Sequence, residues 1–165
     1  MDRRAKWLLG VLGVAAGLGI YFWLAGHFED GARLDLANGQ VALDALKKKD
    51  HQMGEDFFHQ GNFEMARNYF LKGAERNQPY DEDWMGSLYE NGQGVGQDYA
   101  VALAWFQKAA DQNDPTGEAR VGYYYEYGYG VDADPGKARA WLKKAANQGN
   151  AMAAGELEKL PADGN

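Results

Sequence analysis

Gly86-Ser87-Leu88-Tyr89-Glu90-Asn91-Gly92-Gln93-Gly94-Val95 returns 36 positions later as Gly122-Tyr123-Tyr124-Tyr125-Glu126-Tyr127-Gly128-Tyr129-Gly130-Val131, and this pair of stretches decides the fold. Gly86, Tyr89, Gly92, Gly94 and Val95 recur as Gly122, Tyr125, Gly128, Gly130 and Val131. Outward toward the C-terminus the same spacing joins Asp98 to Asp134, Ala102 to Ala138, Trp105 to Trp141, and Gln112 to Gln148. It also carries Lys108-Ala109-Ala110 onto Lys144-Ala145-Ala146. An ungapped period of this length marks a repeat array.

Each unit reads as two antiparallel helices. The first ends near Gly92 or Gly128, where Gly-x-Gly-Val supplies the positive φ values of a tight turn. Asp98 and Asp134 then stand where a carboxylate accepts from the free amides of a second helix. Pro135 fits the first position of that helix. Ala102, Trp105, Phe106 and Ala109, and again Ala138, Trp141, Leu142 and Ala145, follow the i, i+3, i+4, i+7 spacing of one buried face. Small residues at Gly86, Gly122, Ala109 and Ala145 let neighbouring helices approach, with Tyr89 and Tyr125 filling the space beside them.

The order G-x-L-Y-x-x-G-x-G-V, then D, A, W and K-A-A-x-Q, resembles the Sel-one-like repeat, a relative of the tetratricopeptide repeat. Tyr124 stands where leucine is usual in that pattern. Upstream, Gly54, Phe57, Gly61, Ala66 and Phe70, with Lys72-Gly73-Ala74, are spaced like an ordinary tetratricopeptide unit without the longer turn. Downstream, Ala151 to Leu160 reads as a lone capping helix stopped by Pro161.

Before the array, Trp7 to Gly26 is 20 residues without a charge, enough helix to match a bilayer core of roughly 30 Å. Trp7 at one end and Tyr21, Phe22 and Trp23 at the other fit the headgroup level. Arg3, Arg4 and Lys6 precede this stretch and Glu29 and Asp30 follow it, so the positive-inside rule keeps the N-terminus in the cytoplasm. A cleavable signal peptide shares the basic start, but this apolar run is longer than the usual ~7–15 residues and ends without an A-x-A site. Gly10, Gly13 and Gly17 form a smooth stripe suited to helix packing in lipid, either with another membrane protein or with a second copy.

The expected architecture is therefore all-α: one transmembrane helix followed by an α-solenoid of antiparallel hairpins. Residues 1–6 are the cytoplasmic N-terminus, 7–26 the transmembrane helix and 27–44 a tether; Gly31, Gly39 and several charges argue for mobility there. The repeat domain covers 45–160, divided at about 45–79, 80–115, 116–150 and 151–160.

The formal charge is −7, and without Asp2, Arg3, Arg4 and Lys6 the remaining 23 acids outweigh 14 bases, leaving −9. Such a body repels phosphate backbones, which argues against a nucleic-acid partner and for one with a basic patch. With no cysteine there is no disulfide, thiolate metal site or cysteine nucleophile.

The family resemblance implies a superhelix whose first helices line a concave groove. Carried over by offset from each unit's glycine, that face comprises His51, Glu55, Phe58 and His59, then Asp83, Ser87, Glu90 and Asn91, then Ala119, Tyr123, Glu126 and Tyr127. Aromatic and acidic side chains together suit a peptide with basic and apolar residues. Tyr123 and Tyr127 share a helical face and exceed what the repeat requires; they either pack on the neighbouring hairpin or capping helix, or contact a partner.

His51, Glu55 and His59 also share a face, but no fourth metal ligand is identifiable and no metal site is assigned. Neither a G-x-S-x-G, a P-loop nor a dinucleotide fingerprint is present, and no catalytic residue or cofactor is assigned. The reading that results is a membrane-anchored interaction adaptor or scaffold, bound to another protein or peptide. The array would be displayed outside the cytoplasm, in the periplasm against a bacterial inner membrane. Two other roles stay open: an accessory subunit of a membrane complex, recognised through its transmembrane helix, and an exported immunity or regulatory protein, which the family resemblance adds.

Overall fold

The computed structural model describes residues 29–160, with side chains from residue 39 onward. Among them the helices run α1 (Glu29–His59), α2 (Phe63–Ala74), α3 (Pro79–Asn91), α4 (Tyr99–Asp111), α5 (Pro115–Tyr127), α6 (Pro135–Asn147) and α7 (Ala151–Lys159). Successive pairs form three hairpins and α7 follows the third. The boundary between two compact units falls within α1, at residues 41 and 42, and the hairpins are built from the part of α1 after it and from α2 to α6.

The turns form where the sequence places them. Gly92 and Gly128 end α3 and α5 in the left-handed conformation, at φ 66° and 72°, a state that costs a residue with a Cβ more than it costs glycine. Asp98 and Asp134 cap the helices that follow, accepting from the Val101 amide at 3.0 Å and the Lys137 amide at 2.9 Å. The same two residues clamp the turn from below, because their own amides donate to the Tyr89 and Tyr125 carbonyls at 2.9 and 2.8 Å.

Inside each hairpin one large side chain of the second helix seats on a glycine of the first. A Cβ on Gly54 would lie 2.5 Å from the Phe70 ring, one on Gly86 2.5 Å from Phe106, and one on Gly122 2.6 Å from Leu142. Phe70, Phe106 and Leu142 are accordingly fully buried. Away from the turn, each hairpin is closed by a polar latch at equivalent positions. The Arg76 guanidinium donates to Asp50, the Gln112 amide to Glu82 at 2.6 Å, and the Gln148 amide to Glu118 at 2.7 Å. Lys144 adds an ion pair to the fully buried Glu118 at 2.7 Å, which supplies the countercharge such a carboxylate needs.

Two expectations change. Trp105 and Trp141 lie on the second-helix face expected to be buried, yet both are half-buried; Lys108 and Lys144 rest over their rings at 3.7 and 5.3 Å. The sequence predicts a tether over residues 27–44, whereas α1 is already helical from Glu29, through Gly31 and Gly39. Interior glycine costs only about 1 kcal/mol each, and the Ala, Leu and Gln residues around them are strong helix formers.

Among the described residues no helix is long and apolar enough to cross a membrane. Residues 7–26, the cytoplasmic segment 1–6 and the stripe Gly10, Gly13 and Gly17 lie outside the described residues.

Candidate protein-binding groove

The first helices of successive hairpins pack on one another, α3 against α5 and α5 against α7, while no comparable contact joins the second helices. The first helices are therefore the inner row, and side chains projecting between them face a groove.

Junctions between repeats are built at equivalent positions with changing chemistry. At the first, Phe58 meets Trp84 with ring centroids 4.7 Å apart, and Trp84 stacks on Phe70 at 5.0 Å and 2°. At the second, 32 residues past Phe58 and 36 past Trp84, Glu90 meets Arg120 at 3.2 Å. The Tyr124 hydroxyl also donates to Glu90, at 3.1 Å. Burial first, and the Glu90 charge second, push the Tyr124 phenol well above its usual range, so it stays a donor. At the third, the equivalent residues are Glu126 and Glu156.

Glu156 is buried and takes hydrogen bonds from the Lys159 ammonium at 2.7 Å and the Tyr127 hydroxyl at 3.4 Å. Glu126 is half-buried, and its Oε2 is enclosed without a hydrogen-bond partner. Burial, and next the Glu156 charge, raise the Glu126 carboxyl above its ordinary value. Tyr127, which donates to Glu156, belongs to a cluster of tyrosines. Tyr123 and Tyr127 have centroids 4.6 Å apart, Tyr123 and Tyr129 5.8 Å, and Tyr127 and Tyr129 6.0 Å. Tyr127 is 46% exposed.

The residues expected to line the groove divide by environment. Tyr123, Glu126 and Tyr127 come together at its α5–α7 end. Phe58 packs into the first junction, and Ala119 is fully buried in the core. Asp83 is buried between α3 and α5; burial first, and the charge of neighbouring Asp114 next, push its carboxyl up to about 8. Ser87 is half-buried, its carbonyl accepting from the exposed Asn91 amide at 2.9 Å. His59 is exposed at the end of α1. His51 bridges two carboxylates, its Nε2 lying 3.5 Å from Glu55 and its Nδ1 2.7 Å from Asp81 of the next hairpin. Arg120 and Glu156 were not anticipated, although the repeat spacing carries Arg120 onto Glu156 and would have disclosed the junction series.

Helical hairpins stacked with their first helices inward define a protein-interaction scaffold fold. The chain belongs to the Sel1 repeat family, whose sequence profile matches residues 51–78, 83–114 and 115–150. The first hairpin is thus itself matched as a Sel1 repeat, rather than as the ordinary tetratricopeptide unit its short turn suggested. A comparison with curated protein sequences returned no match.

Solved structures repeat the fold. A protective antigen of uropathogenic Escherichia coli with the same repeat fold is 28% identical at a TM-score of 0.63, over 68% of this chain and 25% of that one. A Sel1 repeat protein of Oxalobacter formigenes is 27% identical at 0.63, over 67% and 44%. The Helicobacter pylori cysteine-rich protein B is 25% identical at 0.60, over 80% of this chain and all of that one. The chain thus spans a quarter to under a half of the first two.

Proposed function

We propose that this protein is a membrane-anchored adaptor that captures another protein or peptide in its groove and displays the array outside the cytoplasm, in the periplasm. The observation that carries the reading is the Tyr123–Tyr127 pair. Both rings stand on an inner helix beside acidic groups, and Tyr127 keeps almost half its surface in solvent although α7 is adjacent. Large aromatic side chains with a polar tip are the residues most enriched at binding hot spots.

The anchoring rests on the sequence: an apolar stretch from Trp7 to Gly26, with basic residues before it and acidic ones after. An alkaline phosphatase fused to the C-terminus is expected to be active, since that enzyme folds only outside the cytoplasm; an inactive but intact fusion would remove the proposed topology.

Affinity capture from gently solubilised membranes tests the groove. The full chain is compared with Tyr123→Ala/Tyr127→Ala and with Gly13→Leu/Gly17→Leu. Loss of a specific partner in the tyrosine variant alone supports groove recognition. Loss only in the glycine variant would assign recognition to the N-terminal stretch and make the protein an accessory subunit of a membrane complex.

A further inference from the structure

The repeat spacing singles out one buried acid without a counterpart. Asp81, near the start of α3, is 1% exposed, and the same position one and two repeats on holds Gly117 and Ala153. Room for it is made on α2, where Gly73 stands in place of the Ala109 and Ala145 of later repeats and a Cβ would overlap the Asp81 carboxyl. An imidazole meets this carboxyl from the first hairpin, with His51 Nδ1 2.7 Å from Asp81 Oδ1. The other ring nitrogen, Nε2, lies 3.5 Å from Glu55 Oε1. A neutral imidazole has one N–H and one bare lone pair, so it can face only one carboxylate as a donor, whereas the imidazolium can face both.

We propose that His51 and Asp81 form a proton-operated latch between the first and second hairpins, closed while the pair carries an extra proton and weakened when that proton leaves. The surrounding charges set the sign. On α1, Asp50 and Glu55 add negative potential beside Asp81. Of the nearby cations, Arg76, just past α2, is engaged by Asp50, and Lys47 pairs with Asp44 at 3.7 Å. Lys48, Gln78 and Tyr80 complete the rim of a cavity of about 320 Å3 onto which His51 and Asp81 open, which gives the pair a route to solvent protons. Burial favours the protonated Asp81 carboxyl, while the bond from His51 favours the carboxylate, so ring and acid hold one proton jointly. Imidazole is the side chain whose charge ordinarily changes between pH ~5 and ~8. When the proton leaves, a buried carboxylate faces a neutral ring, so the latch is strongest at mildly acidic pH and weakens as pH rises.

The latch stands independently of the groove reading. The full chain, held in a non-ionic detergent, is followed by amide hydrogen exchange between pH ~5.5 and ~8, corrected for intrinsic rates. Two variants are compared with it: His51→Gln, which keeps a donor for Asp81 but cannot titrate, and Asp81→Asn, which keeps the shape without the charge. The ratio of parent to variant protection cancels any slope common to both, that of Asp83 included. Over this pH range the ratio is expected to fall about tenfold for amides of the first hairpin, and far less for those of α6. A ratio that is constant with pH, or one that falls equally in α6, would overturn the proposal. Long-range 15N–1H spectra of the parent need no variant. At pH ~5.5 both His51 ring nitrogens are expected to carry protons, as a ring donating to two carboxylates must. A bare ring nitrogen at that pH sinks the latch even where a variant fails to fold.

Discussion

Tyr124 donates its hydroxyl to Glu90 at 3.1 Å across the junction between the second and third hairpins, from a ring with no exposed surface. Leu88 holds the equivalent place one repeat earlier, equally buried but without a polar arm. The tyrosine thus adds to a core position a bond between repeats.

Tyr124→Phe keeps the ring and deletes that bond, so it should cost about 1.5–3 kcal/mol, the range for a hydrogen bond to a charged group. Tyr124→Leu removes ring volume as well and should cost about 2–4 kcal/mol. Urea denaturation midpoints read both. A leucine variant as stable as the parent would mean that the junction does not depend on this residue.

Asp83 ties stability to pH. Its carboxyl titrates at about 8 in the folded protein, against ~4 in an unfolded chain. Between those values the folded state holds a proton that the unfolded state has released, so stability is full below pH ~4, declines as pH rises, and levels off above ~8. Asp83→Asn presents a donor to Asp114 without needing the proton. Its melting temperature should fall less steeply between pH ~5 and ~9 and exceed the parent's at the alkaline end. Burial raises the Glu82 and Asp81 carboxyls too, so part of the slope should persist. Identical slopes would exclude Asp83 as the source.

Gly122 and Leu142 should be coupled. Gly122→Ala gains about 1 kcal/mol of helix propensity but drives a methyl to 2.6 Å from Leu142 Cγ, an overlap costing roughly 1–3 kcal/mol. In a Leu142→Ala background the side-chain overlap is gone and only the backbone nitrogen of residue 142, at 3.1 Å, still crowds the methyl, so the same change should cost much less. A double-mutant cycle in urea measures the coupling; additive effects would show that the two helices separate freely.

Tyr127→Ala removes a half-exposed ring and its hydroxyl's bond to the buried Glu156, so it should cost about 1–2 kcal/mol while reducing partner capture. A large fall in melting temperature would instead give the ring a structural role on α7.

The hairpins were legible because their turns and caps recur at fixed spacing. Gly92, Asp98, Gly128 and Asp134 each carry one local physical requirement that a sequence displays directly. The junctions were harder to read because Glu90 and Arg120 are 30 residues apart and occupy different places in their repeats. Consensus matching passes over such positions, and only comparison of one junction with the next exposes their logic. Tyr123 and Tyr127 were visible as surplus to the repeat. Ala119 was misplaced in the groove because the offset rule gives a direction around a helix but not the depth to which a neighbouring helix covers it. The start of α1 was missed because glycine signals a break only when the flanking residues also disfavour helix.

The Gly-x-Gly-Val turns have one more consequence. A Cβ on Gly94 would sit 2.7 Å from the Phe63 carbonyl carbon, and one on Gly130 2.4 Å from the Ala100 nitrogen. Each turn therefore rests directly on the backbone that opens the previous hairpin's second helix. Backbone abutting backbone works as a spacer block whose thickness no side-chain change alters. The spacing of successive hairpins is set by these backbone contacts, leaving the side chains of the inner helices free to diversify without remaking it.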